Sequence, residues 1–179
     1  MFENEIIKLR KLSLNDYNIY HNWRNDVEIM YTTSPQLDTY TLEETEEFIS
    51  SIISQSNAKS YIIEHKKTDQ AVGIVSLSNI NYKDRSAECI IDIGVKDMWG
   101  KGIGTAALSL ILEFAFSELN LHRISLKVFS FNERAIKLYE KMGFIREGIL
   151  RQALYRARNW HDIVIMSILK NEYLPVSYK

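Results

Sequence analysis

From Glu5 to Leu12 the chain reads EIIKLRKL, an alternation of apolar and charged positions that predicts a first strand. Ser13 can cap a helix, with Asp16 three residues on, and this helix is expected to run to about Asn22. The stretch WRNDVEIMYTTSP reads as irregular or as a short second helix. Thr41 followed by Glu44 is a capping-box signature, and behind it Phe48, Ile49, Ile52 and Ile53 fall at helical spacing. The period then changes. SYIIEH, AVGIVSLSNI and AECIIDIGV are rich in Ile and Val and predict three successive strands. A helix is expected from about Gly104 to Leu119, with Ala107, Leu108, Ile111, Ala115 and Leu119 on one stripe. HRISLKVF predicts another strand. NERAIKLYEKMGF predicts a short helix that Asn132 caps and Gly143 ends. EGILRQALYR and WHDIVIMSIL read as a closing hairpin around ARN. Strands and helices interleave without an internal repeat or a Gly/Ser linker. The expected architecture is one mixed α/β (α+β) domain over residues 1–179.

Composition narrows the function classes. Hydrophobic residues make up 46% and charged residues 25%, as in an ordinary soluble globular protein. The net charge of −1 gives no electrostatic argument for nucleic acid or an anionic membrane. Cys89 is the only cysteine, so no disulfide framework exists within the chain. MFENEIIKLRKL lacks an apolar signal core, and no apolar run approaches the ~18 residues of a membrane span. A cytoplasmic protein is the expectation. His21, His65, His122 and His161 show no metal-ligand spacing, and no metal is expected.

The candidate chemistry centres on MWGKGIGTAALSLILEF, Met98 to Phe114, which holds three of the seven glycines in front of a helix. Four explanations compete. A P-loop fails because no Lys-Ser or Lys-Thr follows the glycines. Gly102, Gly104 and Ala107 satisfy a G-x-G-x-x-A dinucleotide pattern, but the next strand ends in LKVFSF without the acid that pattern needs. A purely structural turn is possible on the glycines alone. A pyrophosphate cradle is the fourth: successive backbone amides and the positive end of the helix converge on an anion. Thr105 can add a hydroxyl and Lys101 a cation.

This turn is followed by LNLHRISLKVFSFNERAIKLYEKMGFIREGILRQALYRARNWHDIVIMSIL. The ordered combination resembles the GNAT superfamily of acetyl-CoA-dependent N-acetyltransferases. It is nearest to the branch of ribosomal-protein N-terminal acetyltransferases and polyamine (spermidine) N-acetyltransferases. The resemblance is strong from about Asn79 to Leu174 and weaker in the N-terminal third. It implies the GNAT fold: a single mixed, mostly antiparallel, twisted sheet of about seven strands flanked by helices. It implies acetyl-CoA as co-substrate, with Trp99, Gly100, Lys101, Gly102, Ile103 and Gly104 in the pyrophosphate motif. Trp99 departs from the usual Gln or Arg of that motif. The strand around Ile91, Ile93, Gly94 and Val95 would hydrogen-bond the pantetheine arm through its backbone. Asn132 matches a cofactor-contacting asparagine, and Tyr139 matches a tyrosine placed near the cofactor sulfur.

The implied reaction moves acetyl from a thioester to a primary amine. An alkyl ammonium of pKa ~10.4 must lose a proton before it attacks, so the site needs a base. The leaving thiolate, from a thiol of pKa ~8.5, needs an acid. Tyr139 takes that role in this reading, against the alternative of a core aromatic on a short helix. Glu88 is the candidate base, against the alternative of a solvated strand-end charge. Asp92 lies deeper in the same apolar strand, where an acid is costly unless solvated or paired. Strict alternation puts Glu88 and Asp92 on one face, unless a bulge breaks it.

Acids crowd the N-terminal third: Asp26, Glu28, Asp38, Glu43, Glu44, Glu46 and Glu47, with Arg24 the main opposing charge. They read as an acidic wall for a polycation, or as acids favouring a helix N-terminus. Glu28 and Asp92 are the expected acceptor-side acids. A peptide or protein N-terminus and a polyamine such as spermidine both stay open as acceptors, with an aminoglycoside or amino sugar behind them. An acetyl-CoA-binding sensor without turnover is the alternative of a different class. A homo-oligomer is compatible with the sequence.

Overall fold

The computed structural model describes residues 1–174; residues 175–179 of the expected domain lie outside the described residues. Seven strands form one sheet in the order β1-β2-β3-β4-β5-β7-β6. β1 (Ile7–Lys11), β2 (Lys59–His65), β3 (Gln70–Asn81) and β4 (Ser86–Ile93) pair antiparallel in sequence order. β5 (Arg123–Phe129), β7 (Asn159–Leu169) and β6 (Ile145–Arg156) form the other antiparallel half. The halves meet in one parallel pair, β4 with β5. This is the mixed, mostly antiparallel seven-stranded sheet that the resemblance implies.

Local chemistry sets the helices. Leu14–Asp16 is a 3₁₀ turn, and α1 follows as Tyr17–Arg24, two residues past the expected end. The Asp16 carboxylate accepts from the Ser13 amide at 2.9 Å and from Arg10 Nη2 at 2.7 Å, which makes its burial tolerable. WRNDVEIMYTTSP contains a helix, α2 (Val27–Thr33), capped by Asp26 Oδ1 accepting from the Glu28 amide at 2.9 Å. The Thr41–Glu44 capping box starts α3 (Leu42–Ser54). Its buried stripe is rotated from the expected one: Thr45 and Ile49 are buried, whereas Phe48 and Ile53 are 38% and 44% exposed. α4 (Ile103–Glu113) runs on as a π-helical turn, Phe114–Glu118, in place of one regular helix to Leu119. Asn132 caps α5 (Glu133–Lys141) through its Oδ1, which accepts from the Ala135 amide at 3.2 Å.

The helices cover opposite faces of the sheet. α4 and α5 share a core with Tyr61, Ile63, Val75 and Leu77. α1, α2 and α3 bring Trp23, Ile29 and Ile49 against Leu12, Ile62 and Ile74. A bulge does occur, but on β3. The β2–β3 register slips between Ile63 and Glu64 and leaves Val72 over. The Val72 carbonyl then accepts from the Gly94 and Val95 amides at 2.9 and 3.3 Å, which ends β4. β4 itself pairs without a slip from Glu88 to Ile93. Glu88, Ile90 and Asp92 therefore share the α1–α3 face, while Cys89, Ile91 and Ile93 share the α4 face.

Candidate active site

β4 and β5 pair only through Ser86–Glu88 and Arg123–Ser125, and then they part. Beyond that point the inner edges of both strands carry amides and carbonyls with no strand partner across the gap. A cleft of about 860 Å³ opens there. Its walls are β4 from Glu88 to Ile93, the glycine turn, the ends of α4 and α5 nearest it, and Lys127–Phe129 of β5.

The turn leaves backbone donors open at the cleft. Gly100 and Gly102 have φ of +74° and +82°, which side chains rarely tolerate, and a Cβ on either would meet no protein atom within 4 Å. Gly102 is the N-cap of α4, and the first helical bond runs from the Ala106 amide to the Gly102 carbonyl at 2.9 Å. Among the described residues the amides from Gly102 to Thr105 have no backbone acceptor. Gly104 has a different reason to be glycine: a Cβ there would lie 2.9 Å from Leu138 Cδ2 of α5. Trp99 anchors the turn, donating its indole N–H to the Ile93 carbonyl at 2.9 Å. Arg134 of α5 stacks over Trp99, 4.0 Å from the ring centre.

Not every expected residue reaches the cleft. Ile91, Ile93, Ile103 and Thr105 line it, whereas Gly94, Val95 and Lys101 do not. The Gly94 and Val95 amides are spent on Val72, and a Cβ on Gly94 would lie 2.2 Å from Trp23. The cations at the cleft are Arg134, Lys141 and Lys127, none of which carries a sequence signal beyond its charge. Asn132 lines the cleft with its side chain already engaged, capping α5 and donating to the Thr32 carbonyl at 3.4 Å.

The titratable groups separate by environment. Tyr139 is 8% exposed, its ring centre 5.8 Å from that of Phe144. Its hydroxyl makes no hydrogen bond to another described residue and borders the cleft. Burial pushes its phenol above the usual range, with Cys89 and Asp92 adding to the shift. Glu88 stands at the fork and is already engaged, with Lys127 Nζ at 3.7 Å and Asn79 Nδ2 at 3.3 Å. Asp92 has no hydrogen bond or ion pair to a described residue, so the local structural bond that would excuse its position is missing. Burial pushes its carboxyl up to about 6. Cys89 is buried, and its thiol is pushed up to about 12.

A second cavity of about 500 Å³ adjoins the cleft through Thr33, Pro35, Gln36, Ile90 and Asp92, which line both. Its walls are aromatic: Tyr20, Trp23, Tyr40 and Phe48. Phe48 is exposed because it faces this space. The N-terminal acids do not form its wall. Glu28 borders neither space and pairs with Lys96 at 3.0 Å. Asp26 pairs with Lys96 at 2.9 Å, and Glu44 is held in the capping box. Asp92 is the only acid among the described residues that line this cavity. Lys96 and the caps of α2 and α3 claim Asp26, Glu28 and Glu44, and sequence position alone cannot show that.

The acetyltransferase (GNAT) domain family matches residues 7–145. The chain belongs to the GNAT family. A spermidine N(1)-acetyltransferase of Vibrio cholerae serotype O1 is 33% identical over 96% of this chain and 97% of its own. A putative ribosomal N-acetyltransferase of Bacillus subtilis, YdaF, is 39% identical over 56% of this chain and 55% of its own. The crystal structure of the Vibrio cholerae spermidine N-acetyltransferase with CoA and spermine superposes with a TM-score of 0.87, at 32% identity over 95% of this chain and 99% of that one. This GNAT protein is an acetyl-CoA-dependent N-acetyltransferase. Among the described residues no cluster of His, Cys, Asp or Glu could hold a metal, and no helix is long and apolar enough to cross a membrane.

Proposed function

We propose that the acceptor is a primary amine that enters through the aromatic cavity, with Asp92 as its proton acceptor and Tyr139 as general acid. Acetyl-CoA supplies the acetyl group as an activated thioester. The amides from Gly102 to Thr105 and the side chain of Arg134 suit its pyrophosphate, because they are donors and charge without a hydrogen-bond acceptor or carboxylate among the described residues. The inner edge of β4 from Cys89 to Asp92, unpaired with β5, offers amides and carbonyls to an extended arm and to a developing oxyanion.

The observation that carries this reading is the place of Asp92. It has no hydrogen bond or ion pair to a described residue, it lines both spaces, and its charge reaches the Tyr139 phenol. Its carboxyl, held at about 6, is ionised at neutral pH and ready to take a proton from an ammonium. The base thereby moves from Glu88 to Asp92, since Lys127 already engages Glu88. The Tyr139 phenol keeps its proton until the carbon–sulfur bond breaks, protonates the departing sulfur, and is reprotonated by the second proton that the acetylated nitrogen gives up. The relatives named for spermidine support a polyamine acceptor, and the relative named for ribosomal acetylation supports a peptide N-terminus.

Release of free CoA thiol tests the reading, with spermidine and Ala- or Ser-initiated peptides as acceptors. Turnover by the wild type and its collapse in Asp92→Asn are expected. Binding of acetyl-CoA without turnover of any amine would instead leave a sensor. Wild-type rates in Asp92→Asn would remove the base from the mechanism.

A further inference from the structure

The aromatic cavity already holds a cation. The Arg24 guanidinium lies 3.6 Å from the ring centre of Tyr40 and 4.5 Å from that of Phe48. Its side chain lines the cavity and does not line the cofactor cleft, whereas Asp92 lines both. The cavity therefore has a negative pole at the cleft and a positive pole away from it. One Arg24 donor goes to the Glu44 carbonyl at 3.2 Å. The rest of the fork has no acceptor, and no carboxylate pairs with Arg24 among the described residues. The Tyr20 phenol feels both poles: Asp92 pushes it up along with burial, and Arg24 pulls it down.

From this polarity we infer that the preferred acceptor is a zwitterion, with its amine at Asp92 and anionic oxygens, a carboxylate or a phosphate, on the Arg24 fork. The inference rests on the acetyl-transfer reading above and narrows its acceptor. A polycation would set its distal ammonium against Arg24, in a cavity with one acid to hold it. A guanidinium stacked on rings is pre-organised for planar, two-point recognition of such oxygens. The aromatic walls accept the apolar spacer between the two ends.

The test is kcat/KM for two acceptor series of matched chain length. One series is ω-amino carboxylates and ω-aminoalkyl phosphates; the other is diamines, with spermidine added. The wild type is expected to prefer the anionic series, and the carboxylate and phosphate arms report which oxygen group fits. Arg24→Gln should lower kcat/KM for that series by roughly 10- to 100-fold, mainly through KM, as the loss of a charged hydrogen bond implies. Arg24→Glu should reverse the preference toward diamines. Acetyl-CoA affinity should stay unchanged in both variants. Faster wild-type turnover of spermidine or diamines would overturn the inference while leaving acetyl transfer to amines intact. Equal losses for both series in folded Arg24→Gln would also overturn it, making Arg24 only a tie between α1 and α3. No turnover of any amine would overturn the inference and the acetyl-transfer reading together.

Discussion

Asp92 is half-buried and Tyr139 buried, neither has a hydrogen bond or ion pair to a described residue, and each has a measurable consequence. Burial raises the Asp92 carboxyl to about 6, above the ~3.9 of an unfolded chain. The folded state therefore binds the extra proton between these values. Stability falls as pH rises from ~4 toward 6, and the full cost persists above that. Asp92→Asn should be more stable than the wild type at neutral pH, with the gap closing below pH ~4; urea unfolding at both pH values checks this. The same variant should lose roughly 10²- to 10⁴-fold in kcat/KM and lose the acid limb of the pH profile near 6. Tyr139→Phe keeps the ring against Phe144, so fold and acetyl-CoA affinity should survive. Its single-turnover acetyl transfer should slow by roughly 10²- to 10⁴-fold. An unchanged chemical step would return Tyr139 to a packing role.

The glycine turn and the β6–β7 hairpin act as elements. In the turn, Gly102 and Gly104 are expected to respond differently. Gly102→Val forces a branched side chain to φ +82°, at a cost of roughly 1–3 kcal/mol, and fills space next to the free amides. It should lose acetyl-CoA affinity beyond its loss of stability, measured by calorimetric titration. Gly104→Ala meets only the flexible end of Leu138, so it should shift packing between α4 and α5 with a smaller effect on binding. The hairpin holds the wall between the two spaces through Arg156, which is 3% exposed. Its guanidinium donates to the carbonyls of Met30, Tyr31, Ser34 and Pro35, the end of α2 and the residues after it. Arg156→Lys cannot reproduce that fork. It should destabilise by about 2 kcal/mol and raise KM for the amine more than it lowers kcat, because Thr33 and Pro35 line both spaces.

At the scale of the whole molecule, the site exists because two half-sheets share a short parallel joint. Antiparallel ladders hold each half, and three residues on each of β4 and β5 hold them together. A ligand inserted in the fork bridges the halves. Acetyl-CoA at ~100 times its Kd should stabilise the fold by about 2.7 kcal/mol, a rise in Tm of roughly 5–10 °C for a chain of this size. Hydrogen exchange should show new protection at β4 amides past Glu88 and at Gly102–Thr105. Protection confined to α1–α3 would place the cofactor elsewhere.

The sequence by itself determined the elements and their order. Alternation in β1, Ile and Val runs in β2 to β4, capping residues at Thr41 and Asn132, and the glycine turn are local signals, and the structure follows them. The glycine turn and NERAIKLYEKMGF also carried the family. Tertiary structure decided what each polar side chain is committed to. The acids of the N-terminal third look free in sequence, yet Lys96 and two helix caps claim several of them. Gly94 and Val95 read as one strand with Ile93, yet a bulge on β3 draws their amides to Val72. Glu88 and Asp92 are equivalent by parity, and only the neighbours from β3 and β5 distinguish a paired carboxylate from an unpaired one. Arg24 of α1, Tyr40 of the loop between α2 and α3, and Phe48 of α3 meet in space. Hydrogen bonding and desolvation depend on groups brought together from distant positions, and local periodicity does not encode that proximity.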